Sequence, residues 1–281
     1  MFALFDIGGT KTRVTVSRDG ETLMEPFVFH TEQKFSAELA TILDAIDQLG
    51  PRQELKAAAG GIAGPLDSGK TKLLTISNLP AGWANVPIKE ELQNALGVQV
   101  YLENDTALVG LGEAHNGAGR GAKILAYITV STGLGGVRIV DGMIDKHHVG
   151  FEPGHQIINY TDARGGEAES YISGWALEKR SGKKPYEIQS DMVWDAEAKI
   201  LAVMLHNTIV LWSPDTIVLG GSMIVGTPAI SISQTEEYLK KILRIFPEIP
   251  ILKKAELGDT GGLYGALAYL RHNGFSVEGG N

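Results

Sequence analysis

Two acids and an amide stand in succession at Glu103-Asn104-Asp105, where a predicted strand gives way to a predicted helix. One interpretation is helix capping, because Asn and Asp are preferred residues at helix N-termini. The other is chemical: Asp105 accepts a proton from a substrate hydroxyl, and Asn104 hydrogen-bonds a neighbouring hydroxyl. The tripeptide by itself fits both interpretations.

Glycine-rich turns stand at the ends of three predicted strands. The first is Ile7-Gly8-Gly9-Thr10-Lys11, the second is Thr132-Gly133-Leu134-Gly135-Gly136, and the third is Gly220-Gly221. Taken singly, each is an ordinary turn. Taken together they suit a nucleotide, because glycines let backbone amides approach phosphate closely. Thr10 then adds a hydroxyl donor, and Asp6 faces a hydrated Mg²⁺.

A third candidate site combines Glu152-Pro153-Gly154-His155 with Glu169 on the following predicted helix. An acid and a histidine on one proline-stiffened loop match vicinal hydroxyls, because the acid accepts hydrogen bonds and the histidine donates or accepts them. The adjacent His147 and His148 would face opposite sides of an extended chain, so they do not indicate a metal site.

The segment from Gly64 to Thr71 satisfies G-x-x-x-x-G-K-[ST], the phosphate loop of P-loop nucleotidases. That loop needs a helix directly after its Lys-Thr pair. Thr71–Ser77 is instead short and β-like, so we predict a hairpin turn over Asp67–Lys70. The P-loop alternative predicts that Lys70→Ala abolishes ATP hydrolysis, whereas the hairpin interpretation predicts little effect.

The elements that position these residues alternate between strands and helices, which predicts an α/β fold. The predicted strands are Phe2–Asp6, Thr12–Ser17, Phe27–His30, Leu55–Ala59, Val98–Leu102, Ile124–Val130, Val137–Val140 and Thr216–Leu219. The predicted helices are Phe35–Leu49, Pro87–Leu96, Thr106–His115, Glu167–Lys179, Val193–Trp212, Thr235–Ile245 and Leu263–Leu270.

Composition excludes several classes of function. The chain has 281 residues, 35 glycines and no cysteine, with a net charge of -8. Without cysteine there is no disulfide, thiolate zinc site, cysteine nucleophile or iron–sulfur cluster. The acidic balance argues against binding to nucleic acid or anionic membranes. No apolar run approaches the ~20 residues of a membrane helix, and no basic start indicates a signal peptide.

The ordered set of motifs resembles the ROK family of sugar kinases and sugar-responsive repressors. The matching segments are Asp6–Lys11, Gly61–Pro65, Asn78-Leu79-Pro80 with Gly82-Trp83, Glu103–Asp105 continuing to Leu111-Gly112-Glu113, Thr132–Gly136, Glu152-x-Gly154-His155, Leu219-Gly220-Gly221 and Asp259–Ala266. Each segment is weakly specific, but their order along nearly the whole chain is specific.

The resemblance implies a two-domain actin/hexokinase-like (ribonuclease H-like) ATPase fold with an interdomain cleft. Its implied limits are 1–106 plus 266–281 for a small N-terminal α/β domain and 107–265 for a larger C-terminal one. It also implies that Asp105 is the catalytic base and that ATP and Mg²⁺ are the cofactors. The implied cofactor-binding residues are Asp6 (facing Mg²⁺ through water), Gly8, Gly9, Thr10, Lys11, Thr132, Gly133 and Gly221. The implied sugar-binding residues are Gly64, Asn78, Asn104, Asp105, Glu152, His155 and Glu169.

Within the resemblance, transfer of the γ-phosphate of ATP to the 6-OH of glucose is the first expectation, because Glu152, His155 and Glu169 match the family's glucose contacts. N-acetylated hexosamines, mannose and fructose stay open as acceptors, and polyphosphate stays open as donor. The alternative from another class is a non-catalytic sugar sensor. Family repressors carry a DNA-binding segment before the first glycine turn, for which the position of Asp6 leaves no room. A cytoplasmic homodimer with no nucleic-acid or membrane partner is expected.

One departure from the family concerns zinc. Zinc-containing members carry three cysteines just after the motif histidine, and those positions hold Tyr160, Asp162 and Glu167 here. We therefore expect no zinc. An oxygen-rich substitute site from Asp162, Glu167 and His155 is the open alternative, although a set of ligand types alone rarely makes a zinc site.

Overall fold

The chain divides into two compact units. The computed structural model describes residues 1–76, 78–162 and 165–275. The first unit comprises Met1–His115, Lys146–Gly150 and the described residues from Asp259 onward, and the second comprises Asn116–Asp145 and Phe151–Gly258. The predicted domain limits lie at 106/107 and 265/266, and the units divide at 115/116, 145/146, 150/151 and 258/259. Residues 276–281 of the predicted small domain lie outside the described residues.

Strands and helices are distributed over both units. The strands are β1 (Phe2–Ile7), β2 (Lys11–Ser17), β3 (Phe27–His30), β4 (Ala57–Ile62), β5 (Gln99–Asn104), β6 (Ile124–Val130), β7 (Leu134–Val140), β8 (Met143–Ile144), β9 (Thr216–Gly220) and β10 (Ile251–Lys254). The helices are α1 (Phe35–Leu49), α2 (Ile88–Leu96), α3 (Asp105–Asn116), α4 (Glu169–Ile172), α5 (Gly174–Ser181), α6 (Asp191–Trp212), α7 (Ser222–Val225), α8 (Ile232–Ile242) and α9 (Gly261–His272). The predicted α/β class is confirmed.

Each unit contains one five-stranded sheet, and the two sheets share a topology. The strand order is β3-β2-β1-β4-β5 in the first and β8-β7-β6-β9-β10 in the second. In each, three successive strands pair antiparallel, and two later strands run parallel to the first of them. The chain therefore repeats one supersecondary plan at a spacing that no short-period sequence repeat could reveal.

Strand β4 lies further along the chain than the predicted Leu55–Ala59, because it continues through Gly60 and Gly61. Glycine by itself weakens a strand. A Cβ at Gly60, however, would lie 2.0 Å from the ring of Phe5 on β1, so the missing side chain makes room for that ring. Pairing to β1 on one side and β5 on the other then sets the length of the strand.

The helices of the first unit follow their sequence signals. Helix α1 buries Phe35, Ile42 and Ile46 on one face, as the spacing of its apolar residues predicts. Helix α2 ends at Gly97, whose φ of 69° is the left-handed conformation typical of a glycine C-cap. Helix α9, near the end of the chain, packs on β4 and β1.

Two element limits in the second unit correct the prediction. The single helix expected over Glu167–Lys179 is interrupted at Ser173, whose extended backbone ends α4 and whose side chain caps α5 by accepting a hydrogen bond from Ala176 N. The glycine turn expected over residues 132–136 is shorter, because Gly135 and Gly136 pair with β6 as part of β7. Backbone pairing and capping overrode local composition in both cases.

Among the described residues, no helix combines the length and the apolar character that crossing a membrane requires.

We predict that Gly265→Ala lowers the free energy of unfolding by about 3 kcal/mol, because a Cβ there would lie 1.7 Å from the carbonyl oxygen of Leu108 on α3. The matched control is Gly97→Ala, where the added Cβ meets open space and only the left-handed backbone costs about 1 kcal/mol. Urea denaturation of both variants measures the difference. Equal losses would contradict a close α3–α9 crossing.

Candidate active site

The junction of β5 and α3 carries the candidate base. Asn104 is the last residue of β5, and Asp105 is the first residue of α3. The Asn104 side chain donates to the carbonyl of Gly64 (3.2 Å) and accepts from the amide of Ala107 (3.1 Å). Asn104 therefore caps the helix, as the capping interpretation predicts, and the same bonds fix the backbone next to Asp105.

A glycine lies opposite Asp105 on the neighbouring strand. A Cβ at Gly61 would lie 2.8 Å from Cα of Asp105, so β4 approaches the start of α3 as closely as a backbone without side chains allows. Gly64, three residues later, has a φ of +114°, which also favours glycine. The Gly61–Gly64 segment thus brings its backbone against the Asn104-Asp105 pair.

In the first unit, the charge of Asp105 acts on the carboxyl group of Asp6. Burial raises the pKa of Asp105, and its bonds with Thr106 act in the opposite direction. Burial and then the charge of Asp105 raise the pKa of Asp6 to about 7, while Arg13 lowers it and Asp259 raises it. Arg13 lies 3.7 Å from Asp6 and 2.9 Å from Asp259, so one guanidinium serves two acids. The cluster carries an excess of negative charge.

The first glycine turn is held from behind. Its Gly8 amide donates to the carbonyl of Lys11 (3.0 Å), and the Thr31 hydroxyl donates to the carbonyl of Gly8 (2.7 Å). Gly9 packs against the backbone of Asn78, since a Cβ there would lie 2.3 Å from the Asn78 carbonyl oxygen. Gly9, Thr10, Lys11 and Asn78 are exposed, so a ligand can reach the turn.

The second glycine turn and Gly221 come together in the second unit. The amides of Gly174 and Trp175 donate to the carbonyls of Ser131 (2.7 Å) and Thr132 (3.1 Å), which joins the start of α5 to the turn. Gly221 has a φ of +86°, and a Cβ there would lie 2.3 Å from the carbonyl oxygen of Val130. The predicted cofactor-binding residues therefore form two groups. One group, in the second unit, is Thr132, Gly133 and Gly221; the other, in the first unit, is Asp6, Gly8, Gly9, Thr10 and Lys11.

Glu169 also belongs to the second turn. The amide of Leu134 donates to Glu169 Oε2 (2.7 Å), and a Cβ at Gly133 would lie 2.7 Å from the same oxygen. The loop of Glu152 and His155 reaches the same strand, because Gly154 packs against the carbonyl of Leu134 at a distance that leaves no space for a side chain. Three predicted sugar-binding residues thus surround the start of β7.

His155 is hydrogen-bonded to Glu167, one of the residues considered above for an oxygen-rich metal site. Its Nδ1 lies 3.1 Å from Glu167 Oε2, and that hydrogen bond is the main reason why the pKa of His155 is raised. The charges of Glu152 and Glu169 act in the same direction.

The loop after His155 has its own hydrogen bonds. The Asn159 side chain donates to the Tyr171 hydroxyl (3.0 Å), which in turn donates to Asp162. Within the described chain, no group of three His, Cys, Asp or Glu side chains is placed to hold a metal ion.

A cavity of about 320 Å³ opens beside the second turn. Two aromatic side chains that the sequence analysis does not predict as site residues form one of its walls. Trp175 and Tyr186 expose 53% and 68% of their surface and line it together with the ion pair of Lys184 and Glu178. The remaining lining residues are Ser131, Thr132, Gly174, Pro185, Ser222, Gly226, Thr227 and Pro228. No motif marks Trp175 or Tyr186, since only the folding of residues 174–186 onto the turn brings them there.

Comparison with known proteins assigns this chain to a protein family. The model of the ROK family matches residues 3–273. The chain belongs to the ROK family. This ROK protein is 32% identical over 231 residues to a fructokinase of Zymomonas mobilis, covering 75% of this chain and 77% of the relative. It is 27% identical over 299 residues to an N-acetyl-D-glucosamine kinase of Mannheimia succiniciproducens, covering 94% and 97%.

A solved structure supports the same assignment. The ROK hexokinase from Thermus thermophilus matches with a TM-score of 0.81 and 27% identity, covering 96% of this chain and 98% of that one. The expected actin/hexokinase-like α/β fold is therefore confirmed. The sugar kinases of the ROK family use ATP, and the chain falls in that class of phosphotransferase.

We predict that Glu167→Gln lowers the pKa of His155, because the variant removes the charge that its strongest partner supplies. Glu152→Gln is the matched control and should lower the pKa less, since Glu152 acts only through its charge. NMR titration of the His155 ring protons measures both shifts. A pKa that is the same in the wild type and in Glu167→Gln would contradict the pairing.

Proposed function

We propose that this ROK protein is an ATP-dependent hexose kinase with Asp105 as its catalytic base. The observation that carries the proposal is the partly buried Asp105 carboxyl, fixed at the start of α3 beside Asn104, with its pKa raised by burial. A raised pKa strengthens a carboxylate as a general base.

The proposed reaction is an in-line phosphoryl transfer. Asp105 accepts the proton of the sugar hydroxyl while the hydroxyl oxygen bonds to the γ-phosphorus and the bond from that phosphorus to the ADP oxygen breaks. Backbone amides of the glycine turns stabilise the negative charge on the transferred group. A water molecule in the same place would compete as acceptor, so exclusion of water is part of catalysis.

The charge around Asp6 fits a divalent cation. Two further acids lie near it and one arginine balances them in part; burial first, and then the charge of Asp105, raises the pKa of Asp6 to about 7. Asp6 would hold Mg²⁺ through water, which agrees with the way Mg²⁺ keeps most of its hydration shell. When bound, Mg²⁺ neutralises charge on the phosphates.

The cavity beside the second turn is the proposed place of the nucleotide base. Trp175 and Tyr186 offer flat apolar surfaces to a purine ring, and the adjoining turn at Thr132 and Gly133 offers amides to the phosphates. Polyphosphate has no base to fill such a cavity, so the aromatic wall supports ATP as the donor.

The proposed sugar-binding residues are Gly64, Asn78, Asn104, Asp105, Glu152, His155 and Glu169. Glucose, phosphorylated at its 6-OH, is the first proposal, because an acid–histidine–acid set suits adjacent ring hydroxyls. Fructose and N-acetylglucosamine are the second candidates, since relatives of this chain are named as kinases of those sugars. We further propose that the enzyme is a cytoplasmic homodimer, as the resemblance implies.

A coupled assay of ATP consumption over a panel of hexoses tests the function. We expect phosphorylation of one or a few sugars, and in Asp105→Asn a turnover lower by several orders of magnitude with sugar binding largely retained. Asp44→Asn makes the same change on an exposed face of α1 and should leave turnover unaltered.

Near-normal turnover in Asp105→Asn would refute the assignment of the base. A wild-type protein that binds sugar by calorimetry but consumes no ATP would identify a sugar sensor instead of a kinase.

We predict that Trp175→Ala raises the KM for ATP about 5- to 150-fold and leaves the KM for sugar unchanged, because stacking of a ring on an aromatic side chain contributes about 1–3 kcal/mol. Phe246→Ala, an aromatic truncation in the same unit outside the cavity lining, is the control. Steady-state kinetics in each substrate separates the two constants. An unchanged KM for ATP would indicate that the adenine ring binds outside this cavity.

A further inference from the structure

The P-loop-like segment forms the predicted hairpin turn, and its lysine is directed inward. The Asp67 side chain accepts from the amide (2.6 Å) and the hydroxyl (2.7 Å) of Thr71, while the Lys70 amide donates to the Asp67 carbonyl (2.8 Å). Leu66 and Leu73, on the two arms, bridge each other and are buried. The hairpin is therefore rigid, and Lys70 occupies its tip with a left-handed φ of 52°.

Lys70 binds the residue that precedes the candidate catalytic pair. Its Nζ donates to Glu103 Oε1 at 2.7 Å, and the two side chains are only 18% and 4% exposed. The other carboxylate oxygen of Glu103 faces His147 Nε2 at 3.9 Å. Loss of the lysine would leave the Glu103 carboxylate buried without a cationic partner, which costs free energy. Water cannot easily compensate at a position so far from solvent.

Glu103 links Lys70 to the backbone next to the candidate base. Its Oε1 also accepts the amide of Asn104 (2.9 Å), so one oxygen joins Lys70 to the peptide next to Asp105. Asn104 is further bonded to Gly64, which follows β4, and to Ala107 in the first turn of α3. The start of α3 is thus held by a chain of hydrogen bonds whose outer end is a lysine on a different element.

We propose that Lys70 is a positioning residue for phosphoryl transfer, acting through Glu103 to fix the Asn104-Asp105 pair against the sugar. This deepens the proposed function and depends on it. The motif lysine therefore acts on the catalytic base Asp105 and not on the phosphates. For Lys70→Ala we accordingly expect a lower turnover, in place of the little effect that the hairpin interpretation predicts. A P-loop needs a helix after its lysine, and the chain after Thr71 instead returns along the hairpin to Leu73.

Kinetics of Lys70→Met and Lys70→Arg test the proposal. In Lys70→Met we expect kcat to fall about tenfold or more, because small misplacements of a catalytic group are expensive, while the KM for ATP stays within about twofold of the wild type. Lys70→Arg keeps the charge and should recover most of kcat. Lys72→Met makes the same truncation at an exposed lysine of the hairpin and should behave as wild type.

Hydrogen exchange of the full-length protein gives a second readout that does not need activity. Lys70→Met should speed amide exchange in residues 103–107, where the chain of bonds ends, and leave residues 131–136 of the other unit unchanged. Glu103→Gln should reproduce both effects, since it removes the other half of the pair.

Three outcomes would overturn the inference. They are a selective rise in the KM for ATP, unaltered kcat in Lys70→Met with a lowered Tm only, and unaltered exchange at residues 103–107. A wild-type protein inactive towards every sugar would instead refute the proposed function, and the exchange measurement would still decide whether Lys70 holds the junction.

Discussion

The charge of Asp105 beside a second partly buried carboxyl, that of Asp6, is the constraint around which the first unit is arranged. Asp6 lies near the end of β1 and Asp105 directly follows β5, and a glycine occurs where the backbone comes closest to each of them. A Cβ at Gly262 would lie 2.9 Å from the Asp6 carboxyl carbon, and one at Gly61 would lie 2.8 Å from Cα of Asp105. Burial raises the pKa of both carboxyl groups, and the charge of Asp105 raises that of Asp6 further.

The second unit uses the same sheet plan for a different purpose. Its turn after β6 lacks an acid pair and is instead closed by Glu169 on the Leu134 amide and by the start of α5 on the Ser131 carbonyl. An aromatic cavity adjoins that turn. One topology thus supplies a carboxylate site in one unit and an amide-rich turn with apolar walls in the other. The two sheets have the same strand order, but the residues at their strand ends differ.

Motif and context disagree most clearly at Gly64–Thr71. The pattern of a phosphate loop is complete in sequence, yet the chain folds it as a hairpin because Asp67 accepts two hydrogen bonds from Thr71 and buried leucines join the arms. The lysine that a phosphate loop would direct at a nucleotide is directed at Glu103. A motif therefore specifies residues, and the hydrogen bonds of its backbone decide what those residues contact.

The α/β class, the glycine turns and the β5–α3 junction were readable from the sequence, since apolar periodicity, strand ends and glycine clusters are local signals. Long-range pairing decided the rest. The length of β4 depends on the ring of Phe5, the break at Ser173 depends on a cap, and the site of Trp175 depends on bonds to Ser131 and Thr132. The contact of Lys70 with Glu103 joins residues 33 positions apart, and no local pattern encodes such a distance because it exists only once the hairpin lies against β5.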